Sequence, residues 1–141
     1  MFYGRQLDGI VRALIQSRKG RVANGRTASP QRRLSLLINR SYYSIFHAIR
    51  AVNALDGFDS SKHSGVISHF NQEYVKTGLF EKEVSKIIRN ASEMREQADY
   101  EDFYETSQEE AVDVFEQATR FISVVEVYLR EKAILSFVHV V

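Results

Sequence analysis

The sequence predicts an all-α domain, an up-and-down antiparallel bundle of four to five helices. Three observations carry that reading. Apolar residues recur at helical spacing along almost the whole chain. Capping residues stand where the apolar stripes begin, and glycines stand where they end. The connections between stripes are short, which suits an antiparallel bundle. With 141 residues, one Pro and 44% hydrophobic residues, the chain has the size of a single domain with a core of its own.

The first stripe is Leu7, Ile10, Val11, Leu14 and Ile15, and it fades at Arg18-Lys19-Gly20. The connection that follows, GRVANGRTAS, is basic and broken by Gly20, Asn24 and Gly25. Ser29 and Pro30 then predict a helix start, with Ser at the N-cap and Pro at the first helical position. That helix carries Leu34, Ile38, Tyr42, Ile45, Ile49 and Val52 on one face. It should stop at Leu55-Asp56-Gly57, where Gly accepts the left-handed conformation.

A shorter helix is expected to start near Ser60 or Ser61. It carries Val66, Ile67, Phe70 and Tyr74, and ends at Gly78. The next stripe runs Phe80, Val84, Ile87, Ile88, Ala91, Met94 and Ala98, until the acidic, aromatic stretch DYEDFYET breaks the pattern. Ser107 and Glu110 form a capping box for the last helix, whose stripe is Ala111, Val114, Phe115, Ala118, Phe121, Ile122, Val125 and Leu129. The uncharged tail AILSFVHVV, residues 133–141, suits a helix extension, a strand or a covered subunit interface.

Composition excludes several functions. With no Cys there is no disulfide framework and no Cys-based zinc or iron–sulfur site. No His, Asp and Glu cluster has metal-ligand spacing, and no glycine-rich phosphate loop is present. No apolar run reaches the roughly 20 residues of a membrane span, and the start lacks the pattern of a secretory signal. A soluble cytoplasmic protein is the expectation. The net charge of +1 conceals an asymmetry. Residues 1–50 hold ten Lys and Arg against one Asp, a net +9, and residues 51–141 hold nine against seventeen acids, a net −8. The split fits an anionic partner such as nucleic acid, or internal pairing of the two halves.

Three constellations could carry chemistry. Arg40 and His47 fall within about 20° of each other on the helix from Pro30, with Tyr43 on the same side and Arg50 nearby. They could form a cationic and aromatic pocket for a phosphate or a base. The same residues also fit a central helix whose second face is closed by a neighbour. Arg95 stands at the edge of an apolar face, where a partly buried cation needs a partner. Asp99 is the local candidate, and Tyr100 could stack or hydrogen-bond beside a phosphate held by Arg95. Lys62-His63-Ser64-Gly65 places a Lys, a His and free backbone amides at a helix start, which suits either an anion site or simple capping.

The run NRSYYSIFHAIRAVNALDGFDSSKHSGVISHFNQEYVKTGLF, followed by MREQADYEDFYE, resembles the HEPN domain in its small stand-alone UPF0332-type branch, over roughly residues 34–130. The resemblance implies a helical bundle that forms a homodimer. It also implies a nucleotide- or RNA-associated role beside a minimal nucleotidyltransferase, often as one component of a toxin–antitoxin or stress-response pair. An alternative it implies is a metal-independent endoribonuclease, with Arg, four to six residues, then His at the dimer cleft. Arg95 matches the arginine, but Tyr100 stands where four intervening residues would place the His. Tyr, with an ordinary pKa near 10, is a poor base at neutral pH. Arg40 and His47 have the spacing on a different helix.

The candidate catalytic residues are therefore Arg95, Tyr100, Arg40 and His47. The candidate nucleotide- or RNA-binding residues are Tyr43, Lys62, His63 and Asp99. No metal or cofactor is implied. A non-catalytic structural bundle is the remaining alternative.

Overall fold

The computed structural model describes residues 29–100 and 105–140, with side chains as far as Ile134 in the last segment. The stripe from Leu7 to Ile15, the basic connection ahead of Ser29 and residues 101–104 lie outside the described residues. Four α-helices make up the described fold: α1 (Pro30–Asn53), α2 (His63–Phe70), α3 (Glu83–Asp99) and α4 (Gln108–Val140). A 3₁₀ turn, Ala54–Asp56, closes α1, and a π-helical turn, Asn71–Val75, continues α2.

The helix ends follow the capping chemistry. Ser29 Oγ accepts from the Arg32 N–H at 3.1 Å, with Pro30 opening α1. Ser107 Oγ accepts from the Glu110 N–H at 3.1 Å and starts α4. Gly57 (φ 78°) and Gly78 (φ 85°) sit in the left-handed region where the chain reverses. A Cβ at Gly78 meets no atom within 4 Å, so only its backbone conformation opposes one. Gly78→Ala should therefore cost about 1–2 kcal/mol in urea denaturation, with no loss of packing.

Two boundaries differ from the sequence reading. The short helix begins at His63 rather than at Ser60 or Ser61, because Ser60 is spent on the turn: its Oγ accepts from the Lys62 N–H at 3.2 Å. The next helix begins at Glu83, since Phe80 packs from the preceding turn and donates its N–H to the Tyr74 carbonyl at 2.8 Å. The tail extends α4 to Val140 and forms no strand.

Helices α1 and α4 run in the same direction. Their starts are joined where the Gln31 side chain bonds both the N–H and the carbonyl of Thr106, at 3.0 and 2.9 Å. At the far end Tyr74 bonds the Val52 carbonyl and stands edge-on to Tyr128, 6.2 Å away. Helix α3 runs against both. The core between them is apolar: Ile38, Ile45, Ile49 and Val52 from α1, Val66 and Phe70 from α2, Ile88 and Ala91 from α3, and Val114, Ala118 and Phe121 from α4 are all 2% exposed or less.

A polar clasp fixes the loop after α1. Asp56 Oδ2 accepts from Tyr74 Oη at 3.0 Å and lies 2.8 Å from His69 Nε2, while Oδ1 accepts from the Phe58 N–H. The Phe58 and His69 rings stack in parallel, 3.7 Å apart. The hydrogen bond with His69, and then that from Tyr74, holds the Asp56 carboxyl below its ordinary range. A carboxylate with a lowered folded pKa stabilises above its unfolded pKa, and that contribution disappears as pH falls through the folded value. Thermal melts from about pH 6 to pH 2 should therefore fall more steeply for the native chain than for Asp56→Asn, with the two converging at the acid end. Parallel curves would remove Asp56 from the acid response.

Candidate functional site

Two adjacent tyrosines on α1 start the site. Consecutive helical residues point about 100° apart, so Tyr42 stays in the buried stripe while Tyr43 reaches its half-buried edge. Their rings meet edge-to-face at 5.3 Å. From α3, Arg95 lays its guanidinium over both, 4.8 Å from the Tyr42 centroid and 5.3 Å from that of Tyr43. Its Nη2 donates to Tyr43 Oη at 3.4 Å, a long bond. Among the described residues its Nε is buried with no acceptor. A buried unpaired donor costs about 1–3 kcal/mol, and more when charged. The cation–π contacts return only about 1–2 kcal/mol. Arg95 is thus held by its aromatic neighbours with donor capacity unused.

His63, the first residue of α2, completes the cluster. Its ring lies 4.1 Å from Phe46, 5.9 Å from Tyr43 and 6.0 Å from Tyr42. Nδ1 is 3.1 Å from Tyr42 Oη. Burial raises the Tyr42 hydroxyl above its ordinary pKa, although Arg95 acts against it, so this phenol stays protonated at neutral pH.

Three of these side chains, Tyr42, His63 and Arg95, line a cleft of about 600 Å³. Tyr42, His63 and Arg95 are joined there by Ser64, Ile67 and Ser68 of α2, by Ser92 and Glu96 of α3, and by Asn71, Gln72 and Lys76 at the π-turn. The wide turn puts Asn71 and Gln72 on the cleft wall, and insertions of this kind recur at functional sites. Asn71 is anchored to α3, its Oδ1 accepting from Ser85 Oγ at 2.7 Å. The lining holds two cations, Arg95 and Lys76, against one carboxylate, Glu96. Such a cleft can take an anion against Arg95 and a planar group beside the aromatic and amide wall.

The structure brings three of the eight sequence-predicted residues together: Arg95, Tyr43 and His63. Lys62 stands exposed just ahead of the His63 turn. Arg40 and His47 are exposed on the outer side of α1, where the His47 ring is 6.3 Å from Tyr43 and outside the cleft. Their neighbour Arg50 pairs with Asp59 at 2.9 Å. Asp99 is exposed near the end of α3 and makes no ion pair with Arg95. The cation takes the tyrosine faces instead. Tyr100, 67% exposed, follows the helix end. The residue that sequence reasoning placed only in the core is Tyr42. The signal was its hydroxyl: a fully apolar stripe position is served by Phe, and a buried Tyr needs a partner for its O–H.

Among the described residues no helix is long and apolar enough to cross a membrane. A model of the HEPN domain family matches residues 11–128. A UPF0332 protein of Thermotoga maritima is 37% identical over 94 residues, 67% of this chain and 71% of the relative. A protein of Methanocaldococcus jannaschii named as a candidate toxin is 33% identical over 98 residues, 70% of this chain and 67% of the relative. A second candidate toxin of that organism is 32% identical over 94 residues, 67% of this chain and 69% of the relative. No solved structure gives a significant match. The family match spans most of the chain, including all of α1, α2 and α3 and the cleft between them, and the chain belongs to the HEPN domain family.

Proposed function

We propose that this chain is the toxin-like component of a two-component system and that its cleft binds the phosphate of RNA or of a nucleotide. The observation that carries the reading is Arg95, clamped over Tyr42 and Tyr43 with a buried Nε that lacks an acceptor. A phosphate oxygen is a strong acceptor for a guanidinium. An unstacked base can use the aromatic and amide wall beside it, as single-stranded nucleic acids do on aromatic side chains. Membership of the HEPN family and relatives named as candidate toxins support a role of this class.

The partner in this proposal is a minimal nucleotidyltransferase, and the working unit is a homodimer. Exposed Val124, Val127 and Ile134 on α4 offer apolar surface to a second copy. The first test is fluorescence anisotropy with a labelled single-stranded RNA at several salt concentrations. Binding that weakens steeply with salt supports the reading, and absence of binding at low salt overturns it. Co-elution with a small nucleotidyltransferase encoded beside its gene supports the pair, and separate elution argues against it. A monomeric mass by light scattering at micromolar concentration rejects the dimer.

A further inference from the structure

We infer that the base held by this cleft is guanine, read on its O6 and N7 edge by Asn71 and Lys76. The inference rests on the reading of Arg95 as the phosphate contact and adds the identity of the nucleoside.

The cleft has two ends. At one, Arg95 and His63 meet on Tyr42, and Glu96 follows Arg95 on α3. At the other, Ser85 in the first turn of α3 donates its hydroxyl to Asn71 Oδ1 at 2.7 Å. With a helical rise of about 1.5 Å per residue, Arg95 lies about 15 Å beyond Ser85 along α3, and His63 lies about 12 Å before Asn71 along α2. A phosphate on Arg95 thus leaves room for its nucleoside along the groove toward the π-turn. The volume of about 600 Å³ is that of a small-molecule site.

The π-turn end is a wall of donors. A free amide side chain offers a donor and an acceptor alike. Asn71 is not free: the Ser85 hydroxyl turns its Oδ1 toward α3, which leaves Nδ2 and its two N–H groups as the end that meets a ligand. Lys76 lines the same end with three donors and no acceptor, and among the described residues it makes no ion pair. Gln72 between them carries both functions and favours no base. Glu96, the carboxylate of the lining, stands at the other end beside Arg95.

Guanine is the base that suits such a wall, because its N7 and O6 are adjacent acceptors. Adenine sets an N6 amino donor beside N7, and cytosine presents an N4 amino donor, so each brings a donor against donors. Uracil offers one acceptor there, O4. The selection acts through the base edge alone. The phosphate contact at Arg95 is the same for all four nucleotides.

The test is fluorescence anisotropy at low salt with the full chain and a labelled short oligouridylate. Its central residue is U, G, A or C, and its riboses carry 2′-fluoro groups so that the strand stays intact. The central G is expected to bind about tenfold more tightly than the central A or C, within the range for one two-donor base contact. Inosine at that position should bind as guanine does, since it keeps O6 and N7. 7-Deazaguanine, which lacks the N7 acceptor, should bind several-fold more weakly. N71D keeps the shape and the bond from Ser85 but puts an acceptor where Nδ2 stood. It should erase the preference for G and favour A and C relative to it. K76M, at an exposed position, serves if N71D does not fold, and it should narrow the preference to about threefold or less.

Competition with 5′-GMP and 5′-AMP distinguishes the source of the guanine. Displacement by GMP but not AMP extends the site to the free nucleotide. Displacement by neither, with the preference for G kept in the oligonucleotide, confines it to RNA. Equal binding of all four oligonucleotides overturns the inference and leaves the phosphate reading standing, as does a preference for G that is unchanged in N71D and K76M. Failure of every oligonucleotide to bind overturns the phosphate reading itself, and the inference falls with it.

Discussion

Phe70→Ala should destabilise the protein by about 3–5 kcal/mol, the range for deleting a fully buried phenyl group. Phe70 is 0% exposed. It is the last residue of α2, and its ring meets Tyr74, Phe80 and Phe121 at 5.7, 5.2 and 6.0 Å. Removing it opens a cavity at the point where α2, the π-turn and α4 converge. For a chain of this length, the loss corresponds to roughly 10–20 °C in Tm. The cleft wall should loosen with it, because Asn71, the next residue, begins the π-turn that lines the cleft. Calorimetry of Phe70→Ala beside Leu79→Ala checks this. Leu79 is 54% exposed, so its removal should cost within about 0.5 kcal/mol. A loss below about 1 kcal/mol at Phe70 would remove it from the core that supports the site.

Arg95→Ala should behave in the opposite way, with a large effect on ligand and a small one on fold. On the fold, the substitution gives up cation–π contacts of about 1–2 kcal/mol. It also relieves a buried unpaired donor that costs a similar amount, so Tm should move by only a few degrees. On the ligand, it removes one of the two cations that line the cleft, the one stacked on the tyrosines, and RNA affinity should fall by about tenfold or more, the equivalent of about 1.4 kcal/mol. Arg95→Lys should rescue binding poorly. An ammonium keeps the charge but loses the planar fork and the stacking on two rings. Anisotropy and thermal melting on the same three proteins separate these effects. Equal RNA affinity for all three, or a Tm drop in Arg95→Ala as large as that of Phe70→Ala, would make Arg95 a structural residue.

The two substitutions mark the two ways in which sequence relates to this fold. Phe70 was readable from periodicity, as were Ile38, Ile45, Ile49 and Phe121, because the helical repeat of 3.6 residues puts core positions at predictable intervals. Ser29, Pro30, Gly57 and Ser107 were readable because capping and left-handed turns are local chemistry. Helix boundaries were less so. The start at His63 depends on a hydroxyl of Ser60 turning back to Lys62, and the π-turn at Asn71–Val75 has no signature in the pattern that surrounds it.

The site divides along the same line. Arg95, His63 and Tyr43 were singled out individually by residue type, but on three separate segments with nothing to join them. Arg40 and His47 were the pair that helical spacing alone aligns. Packing joined other residues instead. Helix α3 crosses α1 at the level of Tyr42 and Tyr43, which sets Arg95 on their rings, and the tight turn before α2 swings His63 onto the same tyrosine. Arg40 and His47 stay aligned and exposed.

By itself, then, the sequence determined an all-α HEPN bundle, its core stripes, its caps and its family, since each of these is encoded in neighbouring residues. Only the tertiary structure decided which cation and which imidazole meet on Tyr42. That meeting depends on how helices distant in sequence cross, and a crossing is set by the summed packing of many side chains rather than by any local run of residues.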